Sequence, residues 1–328
     1  TYIGPATVDV GLFSWVNSNN SGQQLVALEG MVTGTETLDP NTNYLLNDSY
    51  IVQSGGRLII PAGTRITARD GGTEVYIAVL QGGQIEINGT ASNPVVMSSQ
   101  AAQPGDWGGL TICGFGPTTE GVGVTAEVGG FIYGGTDPSD DSGNIDYLVI
   151  LGTGAQINAD SQYNGVSLYA VGSQTTINNL AVINGADDGI EFFGGTVSAT
   201  NLYFENNEDD SVDWTEGWNG SITNTYVSHT IDGFSTSIEA DGDNGNPTIT
   251  NFTSISTTGG TAFQFKKESG ASMTNVLLNG YTPNVDMKDD GPIGNVIIDG
   301  VPMTDPSNDV FNGTGVDISG WDWINARL

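Results

Sequence analysis

Basic residues are scarce in this sequence. Seven Lys and Arg stand against 38 Asp and Glu, and none lies between Arg69 and Lys266, a stretch that holds a single histidine, His229. Nucleic acids and anionic membranes both require cationic side chains to neutralise phosphate, so this balance argues against either as a partner. The same surface attracts cations. One cysteine, Cys113, excludes an internal disulfide and reads as a small buried apolar residue. No apolar run reaches the roughly 20 residues that span a bilayer, and membrane insertion is not expected. Helical periodicity is missing as well. The chain opens at Thr1 without Met or a basic-then-apolar leader, which fits a processed form whose export signal has been removed.

What the sequence has instead is glycine, at 48 residues, with abundant Asn, Thr and Ser between short Val, Ile and Leu runs. That mixture predicts many short strands joined by tight turns. From residue 164 the chain divides into similar units, among them "NGVSLYAVGSQTTINNLAVING", "ADDGIEFFGGTVSATNLYFENN" and "EDDSVDWTEGWNGSITNTYVSH". Each holds a strand-like run, a Gly-rich bend and a second run introduced by Asn. These asparagines are Asn179, Asn201, Asn224, Asn251, Asn275 and Asn295, at gaps of 22, 23, 27, 24 and 20 residues.

Units of this length without helical or leucine-rich periodicity predict an all-β fold, a right-handed parallel β-helix with coils of about 20–28 residues. The Asn column has a structural explanation there. Asn tolerates the left-handed bend and its amide can hydrogen-bond to the Asn one coil away. Alternation places Ile190, Phe192, Val212, Trp214, Phe263 and Phe265 inward, and Glu191, Asp213 and Gln264 outward. Residues 1–45 read as an N-terminal cap or assembly segment and 46–328 as the β-helix, with 98–143 a loop excursion and 301–328 a C-terminal cap or tail.

The stretches "GGRLIIPAGTRI", "GQIEINGTASNPVVMSS", "PGDWGGLTICG", "YGGTDPSDDSGNIDYLVI", "ADDGIEFFGGTV" and "DDSVDWTEGWNG" occur in one order over residues 50 to 220 or so. In them the chain resembles secreted or surface-anchored β-helix proteins of Gram-negative bacteria, many marine, with a pectate-lyase-like fold and mostly without an assigned activity. The resemblance implies the fold and an extracellular or cell-surface location, and little about activity. The first 45 residues and the terminal "SGWDWINARL" fall outside it.

The acidic residues pose the functional question. Asp188, Asp210 and Asp232 fall on a strict period of 22, and residues 186–243 hold 13 acidic residues with no Lys or Arg. On adjacent coils, carboxylates about 5 Å apart would repel by roughly 3 kcal/mol per pair at an effective dielectric near 20. Such a column calls for neutralisation. Calcium is the expected cofactor, a hard divalent ion taking carboxylate and backbone oxygens.

The candidate ligands are Asp187, Asp188, Glu191, Asp209, Asp210, Asp213, Glu216 and Asp232. Further candidates lie in the acidic loops "DPSDDSG" (Asp137, Asp140, Asp141) and "EADGDNG" (Glu239, Asp241, Asp243). Two other readings stay open. In one, Asp simply serves the turns ahead of each strand. Alternatively Asp188 and Asp210 could act as a carboxylate pair that cleaves a polysaccharide, with Lys266 or Lys267 as the nearest bases for an elimination. The first expectation is a non-catalytic surface-layer, filament or adhesin protein, with itself or surface glycans as partners. Among the tryptophans, Trp218, Trp321 and Trp323 lie in bends or the tail, where a ring can stack on a sugar or pack against the body.

Overall fold

The computed structural model of the chain describes residues 25–159, 161–242 and 245–328. Among them, 23 strands join into one continuous sheet that winds on itself. Its pairings are parallel except where Val296–Ile298 meets Val301–Pro302 at the C-terminal end. The chain is a right-handed parallel β-helix, the hand that parallel crossovers take almost without exception. No helix among the described residues is long and apolar enough to cross a membrane.

Three walls make each coil. The first is built from short strands: Ile77–Val79, Leu110–Cys113, Val166–Tyr169, Ile190–Phe193, Val212–Thr215, Ile238–Ala240, Phe263–Lys266 and Val285–Lys288, stacked in that order. The other two walls share long strands, such as Thr176–Ile183, Ser198–Glu205 and Ser221–His229, each bent once in the middle. Asn178 pairs with Thr200 and Leu180 with Leu202, and the residue between them steps out of register. That residue is Asn179, then Asn201, Asn224, Asn251 and Asn275, with φ between 54° and 58°. Asn is among the few residues that take this left-handed conformation at low cost.

The amides of these asparagines form the expected ladder. Nδ2 of Asn201, Asn224, Asn251 and Asn275 each donates to Oδ1 of the Asn one coil earlier, at 2.8–3.0 Å. Asn179 continues the chain to Asp146 at 2.7 Å. Asn295 does not belong to it. It ends the short 3-10 turn Ile293–Asn295 and donates to the Glu268 carbonyl. The last coil tightens there, and the Asp299 carboxylate meets the ladder's end by accepting from the Asn275 backbone N–H.

Ile190, Phe192, Val212, Trp214, Phe263 and Phe265 all face the interior, in one core that runs the length of the solenoid. Burying each such side chain contributes about 1.5–3 kcal/mol. Trp218 joins them, stacked on Phe192 with ring centroids 4.1 Å apart and its indole N–H on the Val197 carbonyl.

The segment boundaries differ from the expected ones. Leu25–Val32 already pairs in parallel with Asn43–Val52, so residues 25–45 are wall. The rest of the expected cap, residues 1–24, lies outside the described residues. Within 98–143, Leu110–Cys113 is a rung of the first wall, too short to stand out among its Gly and Pro neighbours. The true excursion is residues 114–142, with a small hairpin of Val124–Thr125 and Ile132–Tyr133.

The C-terminal tail is more than a cap. Phe311 closes the core beside Phe263, and the chain then turns back along the outside. Thr314 N–H donates to Asn275 Oδ1, Val316 N–H to Thr253 Oγ1, and Trp323 and Ile324 pack over Val149, Ala181 and Tyr203. Finally, Arg65 reaches the Arg327 carbonyl. The tail is a strap across many coils.

Candidate functional site

On the outer side of the first wall, residues paired rung by rung form one column: Ser167, Glu191, Asp213, Glu239, Gln264, Asp286. Two residues before each inward-facing Ile190 and Val212 stand Asp188 and Asp210. The turn that presents Asp188 depends on Gly189. A Cβ there would lie 2.4 Å from Phe204 and 2.5 Å from the Ser211 carbonyl, so only glycine allows neighbouring coils this close.

The carboxylates gather in two overlapping groups. Asp187, Asp188 and Asp209 place oxygens within 4.8 Å of one another, and so do Asp188, Glu191 and Asp213. Asp188 is shared between them. Asp210 lies alongside: its backbone N–H donates to Asp188 Oδ1 at 2.9 Å, and its own Oδ1 accepts from Thr236 Oγ1.

Glu191 and Asp213 point away from the solenoid interior, as alternation predicts, yet both are buried, at 9% and 8% exposure. The excursion accounts for this. Its Ala126, Val128 and Tyr133 pack on Cys113, Tyr169 and Phe193 in a second apolar cluster outside the first wall. Glu127 thereby joins the acidic group. Asp209 remains open to solvent and forms the mouth of the site.

Burial dominates the electrostatics. It raises Asp187 to about 8, with the charge of Asp209 next in effect, and Asp213 to about 8, with Glu239 next. Asp188, Glu191 and Asp210 are pushed well above the usual carboxylate range by burial first, then by Glu191, Asp213 and Asp209 respectively. Glu127 is raised by burial and by Glu216. One end of the column is neutralised, where Lys266 pairs with Glu239 at 2.6 Å.

At the other end Asn164 donates to Glu191 Oε2 at 2.7 Å, while its own Oδ1 and Asp213 Oδ1 are buried with no hydrogen-bond partner. Such orphaned acceptors cost roughly 1–3 kcal/mol each unless something meets them. An all-oxygen donor set suits a hard cation such as Ca²⁺ or Mg²⁺ and not the softer metals.

The other expected ligands lie elsewhere. Asp232 is exposed and off the column, because the coil after Asp210 is four residues longer and Thr236 takes the equivalent place. Glu216 holds the excursion instead, accepting from Thr118 Oγ1 and from Tyr133 Oη at 2.7 Å. Asp241 pairs with Lys267 at 3.1 Å. Asp137 and Asp141 close their own turn by accepting from the Ser139 and Gly143 N–H groups, and Asp140 is buried against Ser142. Asp243 lies outside the described residues.

Two site members carry no signal in the acidic period: Glu127 lies outside the repeats, and Asn164 holds the place of Asp188 one coil earlier but as a neutral amide. The buried His229 touches Ser211, Tyr281 and Phe234 within the core, and burial lowers it to about 4, so it is no part of this site.

Residues 30–312 match the family described as a pectate-lyase-like β-helix domain. No curated protein matches the chain, and no solved structure does.

Proposed function

The chain belongs to the pectate-lyase-like β-helix domain family, and on that premise we propose that it is a non-catalytic extracellular component, structural or adhesive, whose β-helix is stabilised by calcium at the acidic column. The observation that carries this reading is the pair of overlapping carboxylate triplets on adjacent coils, with the orphaned Asp213 Oδ1 among them. Asp187, Asp188, Glu191, Asp209 and Asp213 would hold the ion, with the Asn164 amide oxygen as a neutral donor. A bound dication would replace several like-charge repulsions with attractions and tie the excursion, through Glu127, to the wall. Location outside the cell supplies the millimolar calcium that such a site requires. Self-association or attachment to surface glycans is the role that a long, rigid solenoid serves.

The test is thermal unfolding in chelator and in millimolar Ca²⁺, on wild type and on the Asp188→Asn/Asp213→Asn double variant. An ion at about a hundred times its Kd contributes roughly 2.7 kcal/mol, a shift of a few degrees or more in Tm. The wild type should show that shift. The double variant should lose it, and should match or exceed the wild type in chelator because two buried carboxyl groups that must take up protons on folding are gone.

A second reading has one observation in its favour. Asp187, raised to about 8, shares a hydrogen bond with the solvent-facing Asp209, and a carboxyl held protonated near neutral pH is what a glycosidic general acid needs. Glycan cleavage abolished by Asp187→Asn, in a protein whose Tm ignores calcium, would put this reading first. Elimination is less well served, because Lys266 is committed to Glu239.

A further inference from the structure

On a different side of the solenoid, an open cavity of about 290 Å³ lies between the asparagine ladder and the C-terminal strap. The ladder from Asn201 to Asn275 forms its floor. Thr314, Gly315, Val316, Asp317 and Trp321 form the facing side. Its volume is near the lower end of those that hold small ligands.

Three features define what would fit. Asn201, Asn224 and Asn251 each use one Nδ2–H and one Oδ1 lone pair on their ladder neighbours, which leaves a second donor and a second acceptor on each of these three amides, while the Asn275 oxygen is taken by Thr314. These groups recur at the coil spacing of about 4.8 Å. A row of alternating donors and acceptors suits vicinal hydroxyls.

The second feature is Trp321, half-exposed at the cavity side. Its ring is set by Trp323, with centroids 6.0 Å apart, and its backbone by hydrogen bonds from Trp321 N–H to the Ile318 carbonyl and from Ile324 N–H to the Trp321 carbonyl. An aromatic face held in place without loss of side-chain freedom on binding is a platform for the C–H face of a pyranose. Charge is the third. No Lys or Arg lines the cavity, and Asp317 supplies a carboxylate, so an anionic sugar is disfavoured.

We propose that this cavity is a saccharide subsite that takes a neutral hexose unit of a glycan, stacked on Trp321 and hydrogen-bonded by the ladder amides and Asp317. The subsite is independent of the cation reading, since it shares no residue with the acidic column. Binding is in roughly the millimolar range, as expected for one stacked ring and a few solvent-exposed hydrogen bonds.

The experiment is ¹⁹F NMR of the full chain carrying 5-fluorotryptophan, with the Trp321 resonance assigned from Trp321→Phe. Cellohexaose, laminarihexaose and mannohexaose are the neutral probes, and a galacturonate hexamer is the anionic control. At least one neutral hexaose should move the Trp321 signal saturably, in chelator as well as in calcium, while the control leaves it in place. By calorimetry, Trp321→Ala should weaken binding about tenfold, and Trp321→Phe, which keeps an aromatic face and the strap's packing, by no more than about threefold. The proposal is overturned if no neutral hexaose moves the signal, if only other tryptophans respond, if the galacturonate binds more tightly, or if Trp321→Phe weakens binding as much as Trp321→Ala does.

Discussion

A single asparagine per coil performs two tasks that can be separated experimentally. Asn224 adopts φ 58° at the corner between two walls, and its amide both donates to Asn201 and accepts from Asn251. Asn224→Gly keeps the corner's geometry and loses only the amide, at about 1 kcal/mol per hydrogen bond. Asn224→Ala loses the amide and also forces an L side chain into the left-handed region, for a further 1–2 kcal/mol or so. Chemical denaturation should therefore rank wild type above Asn224→Gly and Asn224→Gly above Asn224→Ala. Equal stability of the two variants would mean that the backbone term is negligible.

Gly189 makes the complementary case, where the absence of a side chain is the requirement. Gly189→Ala must push against Phe204 and the Ser211 carbonyl, and a destabilisation of about 1–3 kcal/mol is expected from denaturant midpoints.

At the scale of elements, the excursion over the first wall decides the chemistry of the acidic column. Without residues 114–142 above them, Glu191 and Asp213 would be ordinary outward-facing carboxylates. Under it, Asp187 and Asp213 are held at about 8, and burial is the leading cause for both. Their unfolded values lie near 4. A raised folded value means that the native state keeps protons which the unfolded chain releases. The resulting stability is fully present below about pH 4 and is lost as pH rises through about 8.

In chelator, Tm should accordingly fall between about pH 5 and pH 8, and calcium should flatten the fall by taking the place of the protons. A Tm in chelator that stays level between about pH 6.5 and 8, above the range in which His229 contributes a slope, would show that these groups are ionised in the native state. His229, lowered to about 4 by burial, acts in the opposite sense: its contribution is complete above about 6.5 and is lost as pH falls toward 4.

Much of this was legible in the sequence, and the exceptions have a common cause. The period of the asparagines and the strand alternation defined coils, corners and core, because every repeat solves the same packing problem in the same way. Asp188 and Asp210 were found as neighbours by the same logic. Asp232 shared their numerical period but not their place, since inserted loop residues shift sequence spacing without shifting the stack. Glu127 and the burial of Glu191 depend on a segment that belongs to no repeat, while Asn164 opens the first repeat but carries no charge to mark it. Only the fold reveals what such a segment covers.

For the whole molecule, the governing quantity is a formal net charge of −31 on 328 residues. Self-repulsion on this scale destabilises the compact state and keeps copies apart, and ordinary salt weakens it as the screening length falls from about 30 Å at 0.01 M to about 3 Å at 1 M. Tm should thus rise with NaCl over that range even in chelator. Calcium adds a specific component only if it acts at concentrations too low to screen. Melting curves matched in ionic strength, with and without about 2 mM Ca²⁺, distinguish the two effects.

Light scattering on the same samples extends the comparison to assembly. Growth of ordered particles in calcium, and not in sodium at equal ionic strength, is expected if acidic surfaces of neighbouring copies are bridged by ions. Particles that grow equally in both salts would mean that screening alone permits contact. A particle of constant size in both would leave the adhesive role, with the Trp321 cavity as its recognition surface, as the form of the proposal to pursue.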